Sequence, residues 1–181
     1  MVNITRSGRL KVQISEIDFK SVLNEALHNL RNSEGAHKLK VNCTIEGVIP
    51  FYNDQKQLLV IYNNIISNAI KYQHTHELNP QLDISVEAEA TRVVMKFKDN
   101  GVGISKENLN KVFDMFFRSP GTKADGSGLG LFIVREIVKK LKGKVSVESN
   151  ANEGTVFMIE LPNRIDPDLL RKFSKLVQNS K

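Results

Sequence analysis

Apolar positions along the 181-residue chain change period several times, and each change marks an element. Phe19, Val22, Leu23, Ala26, Leu27 and Leu30 fall on one side of a helix, with Asp18 placed as its N-cap and Gly35 as its stop. "LKVNCTIEG" (39–47) then alternates with the period of a strand until Pro50 breaks it. Asp54 can cap a second helix running to about Tyr72. At about 100° per residue, Leu58, Ile61, Tyr62, Ile65, Ile66, Ala69 and Ile70 cover one broad apolar arc of it. Two alternating runs, 82–88 and 92–98, predict a hairpin. The stretch 106–118 reads as a short helix or a turn-rich piece, and 119–130 is a loop dense in Gly, Ser and Pro. A third helix is predicted over 129–143, stopped by Gly143. "KVSVES" and "TVFMIELP" then predict a second hairpin turning at "NANEG".

Paired antiparallel strands between helices, without a regular βαβ rhythm, indicate an α/β class. The tail after Pro162 has a pattern of its own. Asp166 and Pro167 are an N-cap and a first-turn proline. Ile165, Leu169, Phe173, Leu176 and Val177 form a single apolar stripe that needs a surface to cover it.

Composition narrows the classes. The chain is 40% apolar, enough for one real core. A net charge of +6 fits acidic partners such as phosphates, and equally a solvated surface. No Lys/Arg run is dense enough for a nucleic-acid groove. Cys43 is the only cysteine, which excludes an intramolecular disulfide and a cysteine-rich zinc site and fits a reducing compartment. No signal-peptide pattern is present, and no apolar run approaches the roughly 20 residues needed to span a bilayer. The expected location is cytoplasmic, with no membrane contact by this chain.

Candidate chemistry starts on the second helix. Asn64, Asn68 and Lys71 share the face opposite its apolar arc, with Tyr72 at the border. Mid-helix asparagine costs several tenths of a kcal/mol, about 0.5, relative to alanine. Glu or Lys would solvate that face more cheaply. An amide oxygen can ligate a hard cation and a lysine can meet a phosphate, so the pattern fits a metal–phosphate site as well as a solvated face. "DNGVGI" supplies Asp99, an acceptor for an exocyclic amine, a turn at Gly101, and Gly103, where a flat ring can approach the backbone. "GSGLG" places Gly126, Gly128 and Gly130 before a helix, where backbone N–H groups and the helix dipole suit an anion. It is neither a P-loop, which needs Gly-Lys-Ser/Thr, nor the dinucleotide fingerprint, since Leu131 stands where the third glycine belongs.

In order, the asparagine helix, "DNGVGI", "VFDMFFR", "GSGLGLFIV" and "EGTVFMIELP" resemble the N, G1, F and G2 boxes and the closing Gly-Thr of the catalytic ATP-binding domain of sensor histidine kinases. The resemblance covers roughly residues 10–162. Its lineage includes heat-shock chaperones, mismatch-repair ATPases, gyrase-type topoisomerases and anti-sigma-factor serine kinases. The resemblance implies a two-layer α/β sandwich, a mixed sheet of about five strands on about three helices, with ATP between the helices under a mobile lid. It implies one domain over 1–162, with 1–17 a linker or strand from an upstream dimerisation domain, and an amphipathic helical extension over 163–181. It implies that Asn68 ligates Mg²⁺ and that Asn64, Lys71 and Arg118 lie at the phosphates and carry transfer. By the same resemblance Tyr72 lies beside the nucleotide and Asp99 reads the adenine amine. Gly103 and Thr155 complete the base pocket, Ile104 and Leu131 pack near the base, and Gly101 and Leu129 are counted at the nucleotide. Phe113, Phe116 and Phe117 form the F box, with Phe116 counted at the nucleotide, and Gly126, Gly128 and Gly130 hinge the lid and offer N–H groups to phosphate.

Position 64 separates the kinds of chemistry within that lineage. The ATPases and serine kinases resemble one another in carrying Glu there as general base. Asn64 has no basic lone pair at neutral pH, whereas a neutral imidazole acceptor is nucleophilic unaided. A histidine acceptor is therefore expected, with a hydrolytic ATPase, serine kinase or regulatory nucleotide-binding module as the alternative. "HNLRNS" (28–33) imitates a phosphoacceptor box but has Ser33 in place of its proline, and its helix is already committed as the first helix of the domain. The expected partners are thus a phosphoacceptor histidine on a dimerisation domain elsewhere in a parent kinase, itself dimeric and possibly membrane-anchored, and a response-regulator receiver domain. Nucleic acid is not among them.

Overall fold

The computed structural model describes residues 12–47, 49–74, 79–118 and 126–178, with side chains to 173. Its main sheet contains β2 (Lys40–Glu46), β4 (Gln81–Ala88), β5 (Arg92–Asp99), β6 (Lys144–Ser149) and β7 (Thr155–Pro162), in the order β2-β4-β5-β7-β6. β2 runs parallel to β4, and every other neighbour is antiparallel. Two further short strands, β1 (Ser15–Glu16) and β3 (Tyr52–Asn53), pair with each other alone.

Strict alternation gives the sheet one apolar face. Leu82, Ile84 and Val86 of β4, Val93, Met95 and Phe97 of β5, and Phe157, Ile159 and Leu161 of β7 are all buried. Three helices cover that face: α1 (Phe19–Leu30), α2 (Gln55–Lys71) and α3 (Gly130–Lys140), with α2 packed between the other two. All seven residues of the α2 arc read from the sequence are buried. Tyr62 of α2 meets Phe97 of β5 edge to face at 5.0 Å. Each such buried apolar side chain stabilises the fold by about 1.5–3 kcal/mol relative to exposure. The opposite sheet face is polar and carries Asp83, Ser85, Lys96 and Lys98. A fourth helix, α4 (Pro167–Gln178), follows the last strand. Among the described residues no helix is long and apolar enough to cross a membrane.

Asp54 is 4% exposed and does two jobs. One carboxylate oxygen caps α2 through the Gln57 amide at 3.1 Å, and the other accepts from the Gln13 amide at 2.9 Å. This ties the incoming chain to the domain. At the other end, Asn163 accepts from the Tyr52 amide and donates to the Pro50 carbonyl, and the Arg164 amide donates to the Tyr52 carbonyl. The chain therefore stays bonded to the body two residues beyond Pro162, where the tail was expected to begin.

Several element ends differ from expectation. α1 stops at Leu30, and Gly35 (φ 82°) instead precedes a single 3-10 turn, Ala36–Lys38. The left-handed residue that ends α3 is Lys142 (φ 62°) rather than Gly143. The Lys142 and Gly143 amides fold back onto the Lys139 and Val138 carbonyls, closing the helix with a Schellman-type cap. Of the two forms expected for 106–118, a short helix or a turn-rich piece, the chain takes the turn-rich one.

Candidate functional site

A cleft of two joined compartments is bordered by α2, the start of α3 and the ends of β5 and β7. One, of about 80 Å³, is walled by Asn68, Tyr72, Asp99, Gly103, Ile104, Val112, Leu131, Thr155 and Phe157. The other, of about 160 Å³, is lined by Asn64, Ser67, Lys71, Gly126, Ser127, Gly128 and Gly130. Asn68, Tyr72, Val112, Phe117, Arg118 and Leu131 border both.

The smaller compartment is mostly apolar, with Asn68, Tyr72 and Arg118 where it joins the other and Asp99 and Thr155 at its end. There Asp99, the last residue of β5, pairs in register with Thr155, the first of β7. Burial pushes the Asp99 carboxyl above the usual carboxylate range, and the backbone amides of Gly101 and Thr155 only partly oppose the shift. The Gly101 amide donates to Asp99 Oδ1 at 2.9 Å. The loop that follows is pinned on two sides. The Val102 amide donates to the Tyr72 carbonyl at the end of α2. The Asn152 amide donates to the Val102 carbonyl from the β6–β7 turn. Gly103 has φ 67°, and a Cβ there would lie 2.0 Å from the Asn150 carbonyl oxygen. Its lack of a side chain is therefore dictated by this backbone contact as well as by the cavity it borders.

The larger compartment has the opposite character. Among the described residues, Lys71 and Arg118 are its charged lining residues and no carboxylate lines it. Asn64 donates its amide N–H to the Val60 carbonyl one turn back at 2.8 Å. Only the NH₂ group can face a carbonyl, so this bond fixes the amide and leaves its oxygen for the cleft. α3 starts directly beside it: a Cβ on Gly130 would sit 2.8 Å from Asn64 Oδ1. The first turn of α3 carries no side-chain cap, so its free N–H groups and dipole suit an anion. Among the described residues no group of three His, Cys, Asp or Glu side chains can hold a metal.

Most of the residues singled out from the sequence meet here, with exceptions. Asn64, Asn68, Lys71, Tyr72, Asp99, Gly103, Ile104, Arg118, Gly126, Gly128, Gly130, Leu131 and Thr155 all line the cleft. Gly101 lines neither compartment and acts through its hydrogen bond to Asp99. Leu129 lines neither and is the N-cap residue of α3. Phe116 is 65% exposed, in a left-handed conformation (φ 63°), and borders neither compartment. The positive φ turns the chain so that Phe117 takes that place. Phe113 packs edge to face on Phe157 at 6.4 Å. Val112, Ser67, Ser127 and Phe157 line the cleft without having been foreseen, and nothing in their local pattern distinguishes them. The lid expected around 118–128 falls largely on 119–125, outside the described residues.

The family model described as histidine kinase-, DNA gyrase B-, and HSP90-like ATPase matches residues 53–165. The sensor protein RprX of Bacteroides fragilis is 32% identical over 155 residues, 83% of this chain and 30% of RprX. The signal transduction histidine-protein kinase BaeS of Escherichia coli is 27% identical over 174 residues, 94% of this chain and 36% of BaeS. The chain thus spans about a third or less of the length of such relatives. Among solved structures, the mycobacterial sensor histidine kinase MprB superposes with TM-score 0.69 at 24% identity, covering 86% of this chain and 100% of that one. The Acinetobacter baumannii histidine kinase AdeS gives TM-score 0.69 at 26% identity, covering 87% and 71%. With more than half of its length matched by the family model, this chain belongs to the histidine kinase-, DNA gyrase B- and HSP90-like ATPases.

Proposed function

We propose that this chain is the catalytic ATP-binding part of a two-component sensor histidine kinase, whose γ-phosphate goes to a histidine on a dimerisation domain of the parent protein. The observation that carries the reading is the division of one cleft into an apolar compartment ending on Asp99 and a cationic one ending at the start of α3. A purine base matches the first and a triphosphate the second, with Asn68, Tyr72 and Leu131 at their junction. Asp99 accepts the exocyclic amine. Lys71, Arg118 and the α3 N–H groups hold the phosphates and stabilise the charge on the transferring group.

A divalent cation fits this donor set in one way only. The described residues offer the Asn68 and Asn64 amide oxygens and no carboxylate cluster, so Mg²⁺ would be held mainly by the phosphates and water, with Asn68 as the protein ligand. It would supply charge neutralisation between the phosphates. Asn64 orients and does not accept a proton, which favours a histidine acceptor over water or serine. The acceptor domain and a response-regulator receiver are the partners this reading requires.

Calorimetric titration of the chain with a non-hydrolysable ATP analogue, with and without Mg²⁺, tests the proposal. Mg²⁺-dependent binding with weaker binding of the guanine analogue is expected. No binding at millimolar ligand, or equal binding of both bases, overturns it.

A further inference from the structure

Ser149, the last residue of β6, stands behind the base compartment and lines neither part of the cleft. Its hydroxyl oxygen has three neighbours. It donates to the Gly154 carbonyl at 2.5 Å, accepts from the Ile104 amide at 2.8 Å, and lies 3.2 Å from Thr155 Oγ1. A serine hydroxyl has one proton and two lone pairs. A carbonyl cannot donate, so the Ser149 proton is committed to Gly154, and an amide cannot accept, so one lone pair is committed to Ile104. The remaining lone pair faces Thr155. The hydrogen bond between the two hydroxyls must then run from Thr155 to Ser149.

We propose that Ser149 sets the hydrogen-bonding polarity of the base compartment by taking the only hydroxyl proton of Thr155, so that Thr155 meets the ligand solely as an acceptor. This rests on the reading of that compartment as the purine site and assigns Ser149 a specificity-determining, positioning role in it. Thr155 is buried and is the ladder partner of Asp99. With its proton engaged, both side chains at the end of the compartment are acceptors. Such a wall matches a 6-amino purine, whose exocyclic group donates. It opposes a 6-oxo purine, whose exocyclic oxygen finds no donor there. Without Ser149 the Thr155 hydroxyl is free to turn its proton to the ligand. A 6-oxo purine could then accept from Thr155 while its ring N–H donates to Asp99.

The same hydroxyl joins two segments that the sequence does not connect. Through Ile104 it holds the loop after Asp99, and through Gly154 and Thr155 it holds the β6–β7 turn. A serine at this position is therefore doubly constrained, by a backbone clamp and by proton direction. The two roles separate experimentally. Loss of the clamp weakens every nucleotide alike, whereas loss of the proton sink changes the ratio between bases.

The test is calorimetric titration of the full chain with non-hydrolysable adenosine and inosine triphosphate analogues. Wild type, Ser149→Ala, Ser149→Thr, Thr155→Val and the Ser149→Ala/Thr155→Val double variant are compared. The wild-type preference for adenine is expected to narrow about 5-fold in Ser149→Ala, the size of one ordinary hydrogen bond. Ser149→Thr, which keeps the hydroxyl, is expected to restore it. In the Thr155→Val background, Ser149→Ala is expected to leave the ratio unchanged. Equal loss for both bases in Ser149→Ala, or a narrowed ratio that persists without the Thr155 hydroxyl, overturns the proposal while leaving the purine site standing. A wild-type chain that binds neither base overturns the site itself.

Discussion

Replacing Asp99 by asparagine should strengthen the empty fold and weaken adenine binding in the same molecule. Burial raises the Asp99 carboxyl above its ordinary range, so the folded state holds its proton more tightly than the unfolded chain, whose value is about 3.9. The sign follows from linkage. Stability is greatest below the unfolded value, falls as pH rises through the window up to the folded value, and stays reduced above it. Above that window the ligand-free domain carries the penalty in full, and Asp99→Asn removes it. Urea denaturation should show the variant more stable than wild type at pH 7, with the difference shrinking on acidification through that window.

Binding moves the other way, and the geometry says why. The Gly101 amide donates to Asp99 Oδ1 at 2.9 Å. After Asp99→Asn the amide oxygen has to stay on that N–H, which sends the NH₂ group to the site of the second carboxylate oxygen. A donor then faces the exocyclic amine, itself a donor. Loss of a hydrogen bond to a charged group amounts to about 1.5–3 kcal/mol, or roughly 10- to 150-fold in affinity for the adenine analogue. In wild type that affinity should also decline on acidification from a higher pH than an ordinary carboxylate gives, and Asp99→Asn should abolish the decline. Calorimetry at several pH values reads both effects. A variant no more stable than wild type at pH 7, or one binding adenine undiminished, refutes the reasoning.

Gly130→Ala would set a Cβ 2.8 Å from Asn64 Oδ1. It should cost about 1–3 kcal/mol and weaken ATP more than adenosine, measured by denaturation and paired titrations. Tyr62 is fully buried, and among the described residues its hydroxyl bonds only to Met95 Sδ, at 3.9 Å. Tyr62→Phe should therefore change stability by less than about 1 kcal/mol in thermal unfolding, in contrast to the loss expected if that hydroxyl made a strong bond. Asn64→Glu should weaken ATP binding and give no faster transfer to a histidine supplied in trans. Normal affinity with faster transfer in a radiolabel assay would sink the reading of position 64.

The α2 arc and the alternation of β4, β5 and β7 are fully legible in the sequence, because local period alone decides which side is buried. What stayed hidden depends on the approach of distant segments. Nothing near Lys40 announces that β2 pairs in parallel with β4, since that neighbour is supplied by the crossover through α2. Phe116 and Phe117 are equivalent in composition, and the positive φ at Phe116 that sends only Phe117 to the cleft is invisible before folding. Gly103 reads as room for a ligand, but its tightest contact is the Asn150 carbonyl some forty-seven positions on. Ser149 carries no signal at all: a serine ending an amphipathic strand looks like a solvated position until Ile104 and Gly154 arrive beside it.

The three asparagines of α2 look alike by helix propensity and are not alike in the fold. Asn63 buries its Oδ1 with no partner among the described residues, the kind of position where an unmade bond costs about 1–3 kcal/mol. Asn68 stands where the two compartments meet. Asn64 spends its NH₂ on the Val60 carbonyl and shows only its oxygen to α3 and the cleft. A carboxylate cannot replace it there without losing that bond, because two acceptors would face each other across 2.8 Å. The helix surface at position 64 is thus shaped around an amide, and a general base in that place would need a different rotamer as well as a different residue.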